Sequence, residues 1–135
     1  MRKINQIVVH HSASPKDTTT YEMIEDWHKE RGFRKIGYNY LIDGKGNVLR
    51  GREDYEIPAQ VKGKNKNAIG ICVMGNFEEE KPNPAQLIEL EGLVLGLLDR
   101  FPEAELTWHK REASTLCPGK NLIEFVDSLK DKTNR

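Results

Sequence analysis

The sequence predicts an α/β fold: a single domain with a central mixed β-sheet of about five strands and helices packed on its faces. Three observations point there. Short β-branched apolar runs, such as Ile7-Val8-Val9 and Ile69-Gly70-Ile71, alternate with longer stretches whose apolar residues recur at helical spacing. A glycine-rich turn over 43–47 sits between two short strand-like runs and marks an antiparallel hairpin. The resulting order, strand, helix, hairpin, strand, helix, strand, helix, suits a sheet whose connections cover its faces. At 135 residues the chain is one domain over 1–135, with its core within about 4–130.

Residues 4–11 read as a buried strand, ended by Ser12-Ala13-Ser14-Pro15. His10 and His11 close it on opposite faces, so only one of the two can face a given ligand. Thr19 followed three positions later by Glu22 reads as a capping box, opening a helix with Ile24, Trp27 and His28 on one side and a stop at Gly32. His28 beside Trp27 is read as a satisfied core histidine. Residues 36–42 alternate as a strand that puts Tyr38 and Tyr40 on one face, and 48–50 return from the turn. The connection 51–68 carries a basic run from Lys62 to Lys66, a solvated loop of the sort where binding surfaces also sit.

Residues 68–74 are a continuous apolar run and read as a central strand. Asn83-Pro84 supply an N-cap and a first-turn proline, and Leu87, Leu90, Val94, Leu97, Leu98 and Phe101 follow at helical spacing. Gly92 and Gly96 lie one turn apart on that helix and point to close approach to the sheet. Residues 104–108 form a short strand with His109 at its end. Leu122, Phe125, Val126 and Leu129 mark a closing amphipathic helix, after which Lys130 to Arg135 are expected to fray.

Lys+Arg and Asp+Glu are equal at 21 each, so no net field favours nucleic acid or an anionic membrane surface. The longest apolar runs are far too short to span a bilayer, so no membrane insertion is expected. The basic start lacks the apolar region of a secretory signal, and the chain is expected to be cytoplasmic as synthesised. Cys72, inside an apolar run, reads as a buried free thiol rather than the partner of Cys117 in a disulfide. A monomer is expected.

The chemistry concentrates in residues 107–119, where His109 and Cys117 stand eight positions apart before a Pro-Gly turn. With His10 as a third donor, they could hold a zinc ion with one position open, the arrangement of a catalytic rather than a structural zinc. The spacing alone does not select that reading. A polar surface loop with an incidental thiol fits as well, and so does a Cys–His hydrolase with Cys117 as nucleophile and His109 as base. The hydrolase leaves His10 idle.

Taken together, Val9-His10-His11-Ser12, Trp27-His28-Lys29, Arg31-Gly32-Phe33, Ile36-Gly37-Tyr38-Asn39-Tyr40, Gly51-Arg52, Lys62-Gly63, Asn67-Ala68-Ile69-Gly70-Ile71, Gly75-Asn76-Phe77 and His109 to Cys117-Pro118-Gly119 carry a resemblance. In order along the chain, they resemble the zinc-dependent N-acetylmuramoyl-L-alanine amidases, in the branch shared by phage lysozymes of the amidase type and peptidoglycan recognition proteins. The resemblance implies a zinc cofactor on His10, His109 and Cys117, in a cleft at one edge of the sheet. It implies Tyr38 and Thr115 as catalytic groups, with His11, Arg52, Lys62 and Asn76 along the substrate-binding surface. The implied partner is peptidoglycan, cut between N-acetylmuramic acid and the L-alanine of the stem peptide, with the protein acting on the cell wall after release.

Three positions depart from the pattern of that family. Thr115 stands where phage-type members have a lysine, and it can donate a hydrogen bond but carries no charge. Cys72 stands where some members place a glutamate, which throws more weight on Tyr38. Gln60 stands where relatives carry a histidine, so any proton-shuttle role there is lost. An alternative within the resemblance is a module that binds peptidoglycan without cutting it; such members characteristically lack the cysteine ligand, and Cys117 is present.

Overall fold

The computed structural model describes residues 2–135. In chain order the elements are β1 (Gln6–His11), α1 (Tyr21–Glu30), β2 (Tyr40–Ile42), β3 (Val48–Arg50), β4 (Ala68–Val73), α2 (Pro84–Arg100), β5 (Glu105–Trp108), α3 (His109–Glu112) and α4 (Lys120–Thr133). The strands form one mixed sheet in the order β3-β2-β4-β1-β5. β1 runs parallel to both β4 and β5, β2 is parallel to β4, and only the β2–β3 hairpin is antiparallel. Four carboxyl ends therefore point to the same side of the sheet.

Side-chain parity divides the core. Ile7 and Val9 of β1, with Ile69, Ile71 and Val73 of β4, meet α2 and α4 in the larger apolar cluster. Val8 and Ala68 meet Val61 of the long connection, and Leu41 and Cys72 meet Ile24 of α1. One face of the sheet is thus covered by α2 and α4, the other by α1 and the 51–67 connection. Full burial of Leu90, Val94 and Leu97 holds α2 in place, each side chain stabilising by about 1.5–3 kcal/mol. Asn83 caps α2 in a reciprocal box with Gln86. No helix among the described residues is long and apolar enough to cross a membrane.

Several local expectations need correction. The cap of α1 is Thr20, which accepts from the Met23 N–H, whereas Thr19 Oγ1 donates to the Pro15 carbonyl and lies within hydrogen-bond distance of Ser14 Oγ. Trp27 is 37% exposed and leaves the inward stripe of α1 to Ile24 and His28. β2 begins only at Tyr40, because the Asn39 side chain enters the ladder itself: its Oδ1 accepts from Gly70 N–H at 2.9 Å, and its Nδ2 donates to the Glu53 and Glu56 carbonyls. Tyr38 and Tyr40 consequently lie on different faces, Tyr38 against the Ile24 cluster and Tyr40 in the larger core.

The glycines of α2 do not approach the sheet, since a Cβ added at Gly92 or Gly96 would meet nothing within 4 Å. Nor does α4 fray at Lys130. Its Nζ donates to the Leu106 carbonyl at 3.0 Å, and the helix continues to Thr133 before a left-handed Asn134.

Gly92→Ala and Gly96→Ala should each raise stability by up to about 1 kcal/mol, because alanine restricts the unfolded chain and clashes with nothing. Gly119→Ala should do the opposite, since φ is +89° there and a Cβ would strike the backbone of Phe77. Urea midpoints of the three variants check both signs.

Candidate metal centre

β1 delivers His10 to the carboxyl end of the sheet on the α1 side, and its parallel neighbour β5 delivers His109 one residue past Trp108, which pairs with Val9. The chain then makes the single turn α3. Glu112 staples that turn, accepting from Thr107 Oγ1 at 2.8 Å and from Gln6 Nε2 and Lys64 Nζ at 3.3 Å. The return to Cys117 is closed by Lys110 N–H donating to the Cys117 carbonyl at 2.7 Å. Thr115 Oγ1 accepts from Cys117 N–H at 3.2 Å and fixes the last two residues of the loop. Segments a hundred residues apart therefore converge for backbone reasons before any ligand is considered.

Ligand atoms of His10, His109 and Cys117 all lie within 4.8 Å of one another. His10 Nδ1 is 3.7 Å from Cys117 Sγ, and the two imidazole centroids are 4.7 Å apart. Tetrahedral zinc with ordinary Zn–N and Zn–S bonds would place such donors about 3.4–3.6 Å apart, so the three need move only slightly to share one ion. Among the described residues, His109 Nδ1 is a buried nitrogen with no hydrogen-bond partner. Two imidazoles and a sulfur, one of them carrying an orphaned buried nitrogen, fit zinc in both softness and number.

Burial sets the charge state of the site. It lowers the His10 pKa to about 3, with repulsion from His109 adding to the effect, and it lowers that of His109 too. Both rings are therefore neutral near pH 7 with lone pairs free to bind. Burial pushes the Cys117 thiol up to about 12, against a smaller opposing effect from the His11 N–H, which reaches Sγ at 3.3 Å. A sulfur that keeps its proton beside uncharged imidazoles is the reverse of the activated thiolate that a cysteine hydrolase needs. The Cys–His hydrolase also leaves His10 idle, although its Nδ1 lies 3.7 Å from Cys117 Sγ, and the convergence of all three donors favours the metal reading.

The comparisons with known proteins agree with this geometry. The family model described as N-acetylmuramoyl-L-alanine amidase matches residues 1–120. The chain belongs to that amidase family. It is 34% identical over 122 residues to the endolysin of Escherichia phage T7, covering 86% of this chain and 81% of the relative. The solved N-acetylmuramoyl-L-alanine amidase LysC from Clostridium intestinale superposes with a TM-score of 0.90 at 34% identity, covering 98% of this chain and 87% of that one. The ectodomain complex of peptidoglycan recognition proteins LCa and LCx, bound to tracheal cytotoxin, matches with a TM-score of 0.83 at 29% identity, covering 94% and 82%.

Around the three donors, this amidase places the other expected residues unevenly. Tyr38 is beside the site, its ring centroid 5.0 Å from that of His10 and 5.3 Å from that of His28. Burial, reinforced by Cys72 and Cys117, raises its pKa well above 10, so the hydroxyl stays a donor. Thr115 lies in the loop before Cys117, half-buried. His11 is on the opposite face, accepting from Phe77 N–H at 3.1 Å; only its backbone touches the site. Arg52 donates to the carbonyls of Ile36 and Ile57 and braces the loop. Lys62 is exposed, and Asn76 caps its own turn by accepting from Glu78 N–H.

Gln60 and Asn39 matter to the site beyond anything their sequence context signalled. Gln60 Oε1 is 2.7 Å from His10 Nε2, across fifty positions. Asn39 ties β4 to the 51–67 connection through the bonds already described. His28, away from the donors, accepts from Gly37 N–H at 2.8 Å and is a satisfied core histidine.

His28 also carries a pH signature. Burial lowers its pKa to about 4, from about 6.5 in the unfolded chain. Above pH 6.5 neither state binds the proton; as pH falls from there toward 4, the unfolded state binds it preferentially and stability is lost. The metal-free protein should unfold at lower urea at pH 5 than at pH 7, and His28→Gln should reduce that slope without abolishing it, because His10, His11 and His109 are lowered in the same sense.

Proposed function

We propose that the chain hydrolyses the amide between the lactyl group of N-acetylmuramic acid and the L-alanine of the stem peptide, with a zinc ion held by His10, His109 and Cys117. The observation that carries this reading is the convergence of two neutral imidazoles and a sulfur beside the Tyr38 ring. When bound, zinc supplies Lewis acidity and lowers the pKa of coordinated water toward 7. His10 and His109 contribute neutral lone pairs, and Cys117 gives up its proton as the site loads, the resulting charge being met by the His11 N–H.

Tyr38 donates a hydrogen bond to the scissile carbonyl oxygen as negative charge grows there, a donor typically worth about 3 kcal/mol. Thr115 already accepts from Cys117 N–H, which leaves its own hydroxyl proton free to donate toward the same oxygen. Lys62, exposed in the 51–67 connection, and Asn76 are the residues we assign to contacts with the muropeptide. The relatives that are endolysins, and the recognition proteins seen with tracheal cytotoxin, support a muropeptide substrate. We read the protein as a monomer that acts on the cell wall after release.

Digestion of purified peptidoglycan, followed by mass analysis, should give free stem peptides with L-alanine amino termini and intact glycan. A chelator should abolish the activity and added zinc restore it. Glycan fragments, or activity indifferent to the chelator, would overturn the reading. Tyr38→Phe should lower kcat about 100-fold with zinc content unchanged, whereas Cys117→Ser should lose the metal as well as the activity.

A further inference from the structure

Gln60 sits in the 51–67 connection, where Asn65 Oδ1 accepts from the backbone N–H groups of Gln60 at 3.1 Å and Val61 at 2.8 Å. Its carboxamide rests over Gly70 of β4, a position where any Cβ would collide with Gln60 Oε1. From there Oε1 reaches His10 Nε2 at 2.7 Å. An amide oxygen has lone pairs and no proton, so this bond requires the ring proton on Nε2. The other ring nitrogen, Nδ1, then has a free lone pair on the side that faces Cys117 Sγ.

We propose that Gln60 is a positioning residue for His10, selecting the tautomer protonated on Nε2 and aiming the Nδ1 lone pair at the metal site. The inference rests on the metal reading and deepens it. An imidazole that binds a metal through one nitrogen is held in register by a hydrogen bond from the other, and loss of such a partner typically costs 10–100-fold in affinity. Gly70 belongs to the same device, since the carboxamide needs the space a side chain would fill. A reversed carboxamide, with its nitrogen toward the ring, would put the proton on Nδ1, aimed at the sulfur, and block binding there.

Three readouts on the full chain test this: zinc affinity by competition with a chromophoric chelator, the ring-nitrogen NMR shifts of His10 in the zinc-loaded protein, and the urea midpoint of the metal-free protein. The wild type should coordinate through Nδ1 with Nε2 protonated, a measurement that needs no variant. Gln60→Leu, which keeps the bulk and removes the acceptor, should bind zinc 10–100-fold more weakly. Gln60→Glu, which keeps an acceptor, should stay within a few-fold of the wild type, and Gly70→Ala should weaken zinc binding as Gln60→Leu does. Coordination through Nε2, or wild-type affinity in Gln60→Leu, would overturn the inference alone. A wild type that takes up no zinc would overturn the metal reading and the inference with it.

Discussion

Parallel pairing of β1 with its two neighbours is the constraint on which the site depends. Because Val9 lies opposite Trp108 and His10 opposite Cys72, the carboxyl ends of β1, β4 and β5 open on the same side of the sheet. Ligand sites in open α/β sheets gather at such ends. Parity along β1 then does the sorting. His10 points to the α1 face with Val8, and His11 points to the α2 and α4 face with Val9, so two adjacent histidines acquire unrelated roles.

The second half of the site is built from hydrogen bonds rather than apolar packing. α3 is too short to be stable alone, and it is held by Glu112 reaching back to Thr107, Gln6 and Lys64. The Lys110 to Cys117 backbone bond closes the loop between the two donors. A preorganised site of this kind pays its ordering cost during folding. Burial meanwhile keeps the imidazoles neutral and the thiol protonated, so no charge is stranded among the three donors.

Elements with strong local signals were legible in the sequence: the β-branched runs of β1 and β4, the Asn83-Pro84 start of α2 and the glycine-rich hairpin turn. The donors His10, His109 and Cys117 were legible as residue types near element ends, and the structure brings them together. What escaped depended on partners remote in the chain. The Asn39 side chain shortened β2 by bonding to Gly70, thirty-one positions away, and so turned Tyr38 from the face of Tyr40. Gly92 and Gly96 looked like close-contact positions, but a glycine's purpose lies in its neighbours, and here there are none. Gln60 looked like a lost proton shuttle, and its bond to His10 is invisible until the fold closes.

Zinc K-edge X-ray absorption on the loaded protein tests the central claim most directly. Two nitrogens at about 2.0–2.1 Å, one sulfur at about 2.3 Å and one further light atom from solvent are required if His10, His109 and Cys117 hold the ion with a position left open. A second sulfur in the shell, drawn from Cys72, or a metal bound wholly by protein atoms, would contradict the account.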